Sequence, residues 1–239
     1  MGLMNLPYVG HPAYAVHLPL QHNVDASSWY GHIPFARWLV ERTRPGKIVE
    51  LGVFQGGSYL AFCQAVKYLR LAARCWGVDT WKGDAFTGPY DGIFPVLLST
   101  HQQYADFSQL LRCTFDAAAY QVPSDIDILH IDGLHTYDAV KHDFREWVGK
   151  MSNQGIVLLH DTRVVHPEFG VSRFFEEAKV MHPTFEFHHC AGLGVVAVGS
   201  HVDVPELFSA GVEQAQEIRD FFAGGAKAAE EPTQKAQKK

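Results

Sequence analysis

Cysteine is scarce and scattered in this sequence: Cys63, Cys75, Cys113 and Cys190 form no CxxC pair and no cluster with zinc-like spacing. That excludes a zinc ribbon, argues against a disulfide-stapled scaffold, and leaves buried free thiols in a reducing compartment as the expectation. Long apolar runs are missing too. No segment approaches the roughly 20 apolar residues a bilayer-crossing helix needs, and Met1 to Leu20 has neither the basic start nor the unbroken apolar stretch of a secretory leader. A cytoplasmic protein with no membrane partner is expected. Basic charge is not in excess: 20 Lys and Arg face 26 Asp and Glu, and a net charge of -6 works against nucleic acid as a partner. No internal repeat is found.

What is present suits one well-packed domain with terminal extensions, since 47% of the 239 residues are apolar. Residues 1–30, rich in Pro, His and Gly without periodicity, are expected to form an irregular arm. Residues 31–222 hold the domain. Residues 223–239 are expected to be a disordered tail, because from Gly224 onward the chain offers Ala, Gly, Glu and Lys and no large apolar residue.

Inside the domain, helical and strand-like stretches alternate. Ile33 to Arg42 reads as a covering helix, with Pro34 in its first turn, Phe35, Trp38 and Leu39 on one face, and Pro45-Gly46 as its stop. Short apolar runs at Lys47 to Val53, Cys75 to Val78, Ile126 to Ile131 and Ile156 to Leu159 suit strands buried on both faces of a parallel sheet. Between and after them, Ser58 to Leu71, Tyr137 to Val148 and Val171 to Met181 have helical spacing, with Ser58 available as a cap. Thr184 to His188 and Gly194 to Val198 flank the turn Cys190 to Leu193 and predict an antiparallel hairpin at a sheet edge. The fold class is therefore α/β, doubly wound and mostly parallel. Gly83 to Tyr104, long and aromatic, is a candidate lid.

Three segments carry chemistry. Ile48-Val-Glu-Leu-Gly-Val-Phe-Gln-Gly-Gly-Ser58 runs from a strand through a glycine turn into a helix, where Gly52 and Gly56 permit close approach of a ligand and the helix start offers N–H groups. Phe54 stands at the second glycine position of the dinucleotide fingerprint and would crowd a pyrophosphate, which disfavours NAD. Glu50 is expected to receive an ammonium group through backbone or water contacts. Asp79, one strand-helix-strand unit later, is expected to accept ribose hydroxyls. The third constellation is Asp132 and His135 after one strand, and His160 and Asp161 at the end of another. Asp132, His160 and Asp161 are candidate ligands for a divalent cation, and His135 is the candidate general base. Structural or solvated roles are expected for His130, His142, His188 and His189.

Together VELGVFQGGS, GVDTWKGD, IDILHIDGLHTYDAVKHDF and GIVLLHDT resemble the class I S-adenosylmethionine-dependent methyltransferases, in particular the small-molecule O-methyltransferases of methyltransferase family 24. The resemblance spans about Ile48 to Gly199. It implies a seven-stranded sheet with a reversed edge hairpin, and a cofactor set of Glu50, Gly52, Val53, Phe54, Gly56, Ser58, Asp79, Thr80, Trp81, Thr114, Phe115 and Asp132, with Asp116 near the adenine. It also implies magnesium or manganese at Asp132 and Asp161, with His160 standing where some relatives carry an acid. The expected activity is O-methylation of a small-molecule or sugar hydroxyl. An NAD-dependent oxidoreductase and a non-catalytic cofactor-binding scaffold are the alternatives, and assembly into a homo-oligomer stays open.

Overall fold

The computed structural model describes residues 29–236, of which 225–236 are described as backbone only. The expected irregular arm lies almost wholly outside the described residues. A seven-stranded sheet forms the centre, in the order β3-β2-β1-β4-β5-β7-β6. The strands are β1 (Lys47–Leu51), β2 (Arg74–Asp79), β3 (Ser108–Arg112), β4 (Ile126–Ile131), β5 (Met151–His160), β6 (Thr184–Phe187) and β7 (Leu193–Ala197). From β3 to β5 all neighbours pair in parallel, whereas β7 runs antiparallel between β5 and β6. The reversed hairpin is thus present at the edge, with β7 as its inner strand.

Period-two alternation splits the strand residues between two cores. Ile48, Ile128, Ile156 and Leu158 face one side, where they meet Phe35, Trp38 and Leu39 of α1 (Ile33–Thr43) and Leu60 and Phe62 of α2 (Gly57–Tyr68). Val49, Leu51, Leu129, Ile131, Val157 and Leu159 face the other, against Val140, Phe144 and Trp147 of α5 (Tyr137–Val148) and Phe174 and Phe175 of α6 (Val171–Met181). Two covered faces explain why these strands read as continuous apolar runs. Burying each large side chain contributes on the order of 1.5–3 kcal/mol, so both layers hold the sheet.

The helix ends follow local chemistry. Thr114 caps α4 (Phe115–Ala119) and Thr136 caps α5, each hydroxyl accepting a backbone N–H at 3.3 Å. Ser58 does not cap α2 as expected; Gly56, at φ 89°, takes that position and Ser58 turns inward. Several elements escaped the sequence, among them α3 (Ile93–His101) inside the expected lid, β3, α4 and the helices that follow the edge hairpin. β3 is an edge strand and half exposed, so its pattern is weak. The expected tail also differs. After α7 (Pro205–Phe208), α8 (Val212–Ala236) packs Ile218 and Phe222 into the core and carries the helical backbone on to residue 236. Among the described residues no helix is long and apolar enough to cross a membrane.

Because β1 is flanked by β2 on one side and β4 on the other, the chain reverses its winding direction there, and the loops leaving β1, β2, β4 and β5 open along one sheet edge. That switch point is where an open α/β sheet has room for a ligand.

Candidate active site

The glycine turn is fastened by backbone hydrogen bonds. Gly52, at φ 91°, donates its N–H to Val78 O at 2.9 Å, and an added Cβ would lie 2.0 Å from the Asp132 carbonyl oxygen. Only glycine fits this close approach. Asp79 Oδ2 accepts the N–H groups of Val53 and Phe54 at 3.0 and 2.9 Å, while Oδ1 accepts that of Trp81 at 2.7 Å. The expected ribose ligand is therefore also the clamp that shapes the turn. A carboxylate oxygen accepts more than one hydrogen bond, so the clamp leaves acceptor capacity toward the cavity.

Two adjoining cavities occupy the switch point. One, of about 410 Å³, is lined by Gly52, Phe54, Asp79, Thr80, Thr114 and Phe115, together with residues of the segment after β2. The other, of about 270 Å³, is lined by Val53, Ser58, Trp29, His160 and Asp161. Gly52, Phe54, Thr87, Tyr90, Asp132 and His135 line both. Tyr90 packs on Phe54 with ring centroids 4.6 Å apart, so the segment expected as a lid does contribute wall.

Several residues of the expected cofactor set do not line either cavity. Glu50 lines neither cavity: it is fully buried, accepts from Ser58 Oγ at 2.7 Å and stands 3.0 Å from His130 Nδ1. It faces α2 from inside the sheet layer. Burial pushes its carboxyl above the usual range, against the opposing pull of His130. Trp81 lies beneath the surface, donating Nε1–H to Phe54 O at 2.9 Å and packing on Phe94, so it supports the turn from behind. Gly56 caps α2 without lining a cavity, and Asp116 points outward to His142 at 2.8 Å. His130, expected to be structural, is wholly buried and accepts from Trp29 Nε1 at 3.0 Å.

The carboxylates and histidines do converge. His135 Nε2 stands 2.8 Å from Asp161 Oδ2 and 3.5 Å from Asp132 Oδ1. His160 Nδ1 stands 3.2 Å from Oδ1 of Asp132 and of Asp161, and its Nε2 donates to Cys190 O at 3.2 Å. One ligand atom from each of Asp132, His135 and Asp161 falls within 4.8 Å of the others. Burial works against a charged His135, but hydrogen bonds to Asp132 and Asp161 outweigh it and push the ring up to about 10. Burial opposes ionisation of Asp132 as well, yet His160 and His135 hold it well below the usual carboxylate range. Asp161 itself is held at φ 63°, a left-handed conformation that turns its carboxylate out of the strand direction at a cost of about 1–3 kcal/mol.

Aromatic residues from separate loops close the acid side. Phe169 stacks flat on His135, with centroids 4.7 Å apart at 3°, and Phe86 packs edgewise on Phe169 at 5.0 Å. Gly170 N–H donates to His135 O at 2.8 Å and ties that loop to the cluster. Phe86 and Tyr90 belong to the aromatic segment expected as a lid, whereas nothing in the sequence marks Trp29 and Phe169 as wall residues. The aromatic density of residues 86–94 was the one signal that marked part of this wall.

Residues 49–162 match a family profile described as a methyltransferase domain. This region belongs to the methyltransferase domain family. An uncharacterised protein of Sinorhizobium fredii, y4gI, is 43% identical over 178 residues, covering 74% of this chain; the chain spans only 20% of that protein's length. A putative caffeoyl-CoA O-methyltransferase from Staphylococcus aureus superposes with a TM-score of 0.54 at 12% identity, over 69% of this chain and 81% of the other. The O-methyltransferase from Bacillus cereus in complex with SAH superposes with a TM-score of 0.53 at 13% identity, over 74% and 84%. At such identities the superpositions establish the class I methyltransferase fold.

Proposed function

We propose that this methyltransferase domain transfers a methyl group from S-adenosylmethionine to a hydroxyl of a small molecule or sugar, aided by a divalent cation. The observation that carries the proposal is the shared wall: the cavity behind Asp79 and the one holding the acid and histidine cluster adjoin and have Gly52, Asp132 and His135 as common lining. Asp79, Thr80, Thr114 and Phe115 suit the adenosine part, and the start of α2 with Ser58 suits the amino-acid part. The backbone of Phe54, committed to Asp79 and Trp81, leaves no open glycine turn for a pyrophosphate, which counts against NAD.

Two carboxylates and one or two imidazoles form a donor set suited to magnesium or, with nitrogen ligands, manganese. Asp132, Asp161 and His160 would hold such an ion, and it would lower the pKa of an acceptor hydroxyl and fix its place. His160 fits a ligand role because its Nε2–H is anchored on Cys190 O, which leaves Nδ1 aimed at both carboxylates. His135, stacked on Phe169, would take the hydroxyl proton once a cation bound to Asp132 and Asp161 offsets the carboxylate charge that keeps its ring protonated. The aromatic loops exclude water from the reacting oxygen, and the fixed walls supply alignment, which is the main requirement of a transfer from an already activated donor.

The test is methyl transfer to a panel of sugar and phenolic hydroxyls, followed by S-adenosylhomocysteine release, with chelator and with added magnesium or manganese. Release that depends on acceptor, is lost with chelator and returns with metal supports the proposal. Binding of NAD in place of S-adenosylmethionine would contradict it.

A further inference from the structure

Behind the acid and histidine cluster, the turn between β6 and β7 presents two backbone carbonyls to it. Cys190 O lies 3.2 Å from His160 Nε2, and Gly192 O accepts the Asp161 N–H at 3.1 Å. The same Cys190 O lies 3.1 Å from Nε2 of His32, whose ring is wholly buried. A carbonyl oxygen only accepts, so both imidazoles donate through Nε2. His32 Nδ1 meets no hydrogen-bond partner among the described residues, so a buried polar ring is kept for this one bond.

The turn needs such a hold. Cys190 and Ala191 stand at φ 49° and 66°, the left-handed region that L side chains rarely adopt. Rotating the peptide between them would bring Ala191 to a negative φ and carry the Cys190 carbonyl away from both rings. His160 would then be free to turn, or to carry its proton on Nδ1, the nitrogen that faces Asp132 and Asp161. Two contacts oppose the rotation. His32 Nε2–H holds the carbonyl itself, and His189 Nε2 donates to Gly31 O at 3.0 Å, tying the turn to the segment that carries His32. Gly31 suits this approach because an added Cβ would lie 2.3 Å from Cys190 Sγ. We propose that His32 is a positioning residue for the cation ligand His160, acting through the Cys190 carbonyl that the two rings share. The inference rests on the divalent cation of the proposed function being held by His160.

The side-chain amide of Gln places a donor where His Nε2 stands, whereas that of Asn stops at the Nδ1 position, so a pair of variants isolates the atom at issue. In titration calorimetry of the full chain with manganese, His32→Gln should stay within about threefold of wild type. His32→Asn should lose about tenfold, the lower end for a residue that orients a metal ligand. Affinity for S-adenosylhomocysteine, which reports an intact fold, should stay within about twofold in both. In a His160→Ala background the loss caused by His32→Asn should shrink to under about twofold, because the ring it acts on is gone. Equal manganese affinities of the Asn and Gln variants, or an undiminished loss without His160, would overturn the proposal. A wild-type protein that binds S-adenosylhomocysteine but no manganese would overturn the cation reading and this inference with it. Should neither His32 variant fold, the half-buried His189 decides: His189→Asn should weaken manganese about threefold and His189→Gln restore it, and equal affinities there overturn the proposal.

Discussion

The two halves of the site are held together by different means. On the side of β1 and β2, the glycine turn is shaped by backbone groups: Gly52 N–H on Val78 O, and the Val53 and Phe54 N–H groups on Asp79. On the side of β4 and β5, side chains do the holding, through the contacts of His135 and His160 with Asp132 and Asp161 and the ring of Phe169 on His135. A backbone-built cradle tolerates changes of side chain but no change of backbone shape. A side-chain cluster responds in the opposite way, keeping its fold while its chemistry is removed.

The largest expected effect follows from that contrast. Asp161→Ala should lower methyl transfer by about a thousandfold or more, since it takes away a candidate cation ligand and a partner of His135, while S-adenosylhomocysteine affinity changes by less than about threefold. Turnover and calorimetry together check this; comparable losses in both would erase the distinction between the halves. Next in size, Gly52→Ala should destabilise the fold by roughly 2–4 kcal/mol and remove donor binding, because the added Cβ meets the Asp132 carbonyl at 2.0 Å and the backbone sits at φ 91°. Urea denaturation measures it, and a wild-type midpoint would show that the turn is not set by the backbone.

A smaller effect sharpens the comparison from outside the cluster. Asp143, on α5 beneath Gly133, is 7% exposed, and burial pushes its carboxyl up to about 7 against the pull of His142. With the folded pKa above the unfolded one, the folded protein binds the extra proton between about pH 4 and 7, so stability falls as pH rises through that window. Asp143→Asn should therefore raise stability at pH 8 by on the order of 2 kcal/mol and change it little at pH 4. Thermal melts at the two pH values test the sign, and a variant less stable at pH 8 would refute it.

The same division explains how far the sequence could be read. The four parallel strands that pack on both faces announce themselves as apolar runs, and the glycine turn is a local pattern of eleven or so residues bound to a strand-turn-helix context. Asp132, His160 and Asp161 stand directly at strand ends and His135 in the loop that follows β4, so topology alone predicts that they meet. The edge strand β3 and the short α4 have too little buried surface to leave a periodic mark. Glu50 and Trp81 stand at positions along the chain that suit a ligand contact, but the direction of a side chain is decided by its packing: Glu50 turns to Ser58 and His130, and Trp81 to Phe54 and Phe94. Trp29 and Phe169 reach the cavity walls from segments without regular pattern, where nothing local foretells a long-range contact.

The central claim is that donor and cation cluster share one rim, and manganese broadening of bound S-adenosylhomocysteine in proton NMR tests it most directly. Protons beside the sulfur should broaden strongly, adenine protons less, and Asp161→Asn should remove the effect while the ligand stays bound. Bound ligand with no broadening, or with the adenine broadened most, would contradict the account.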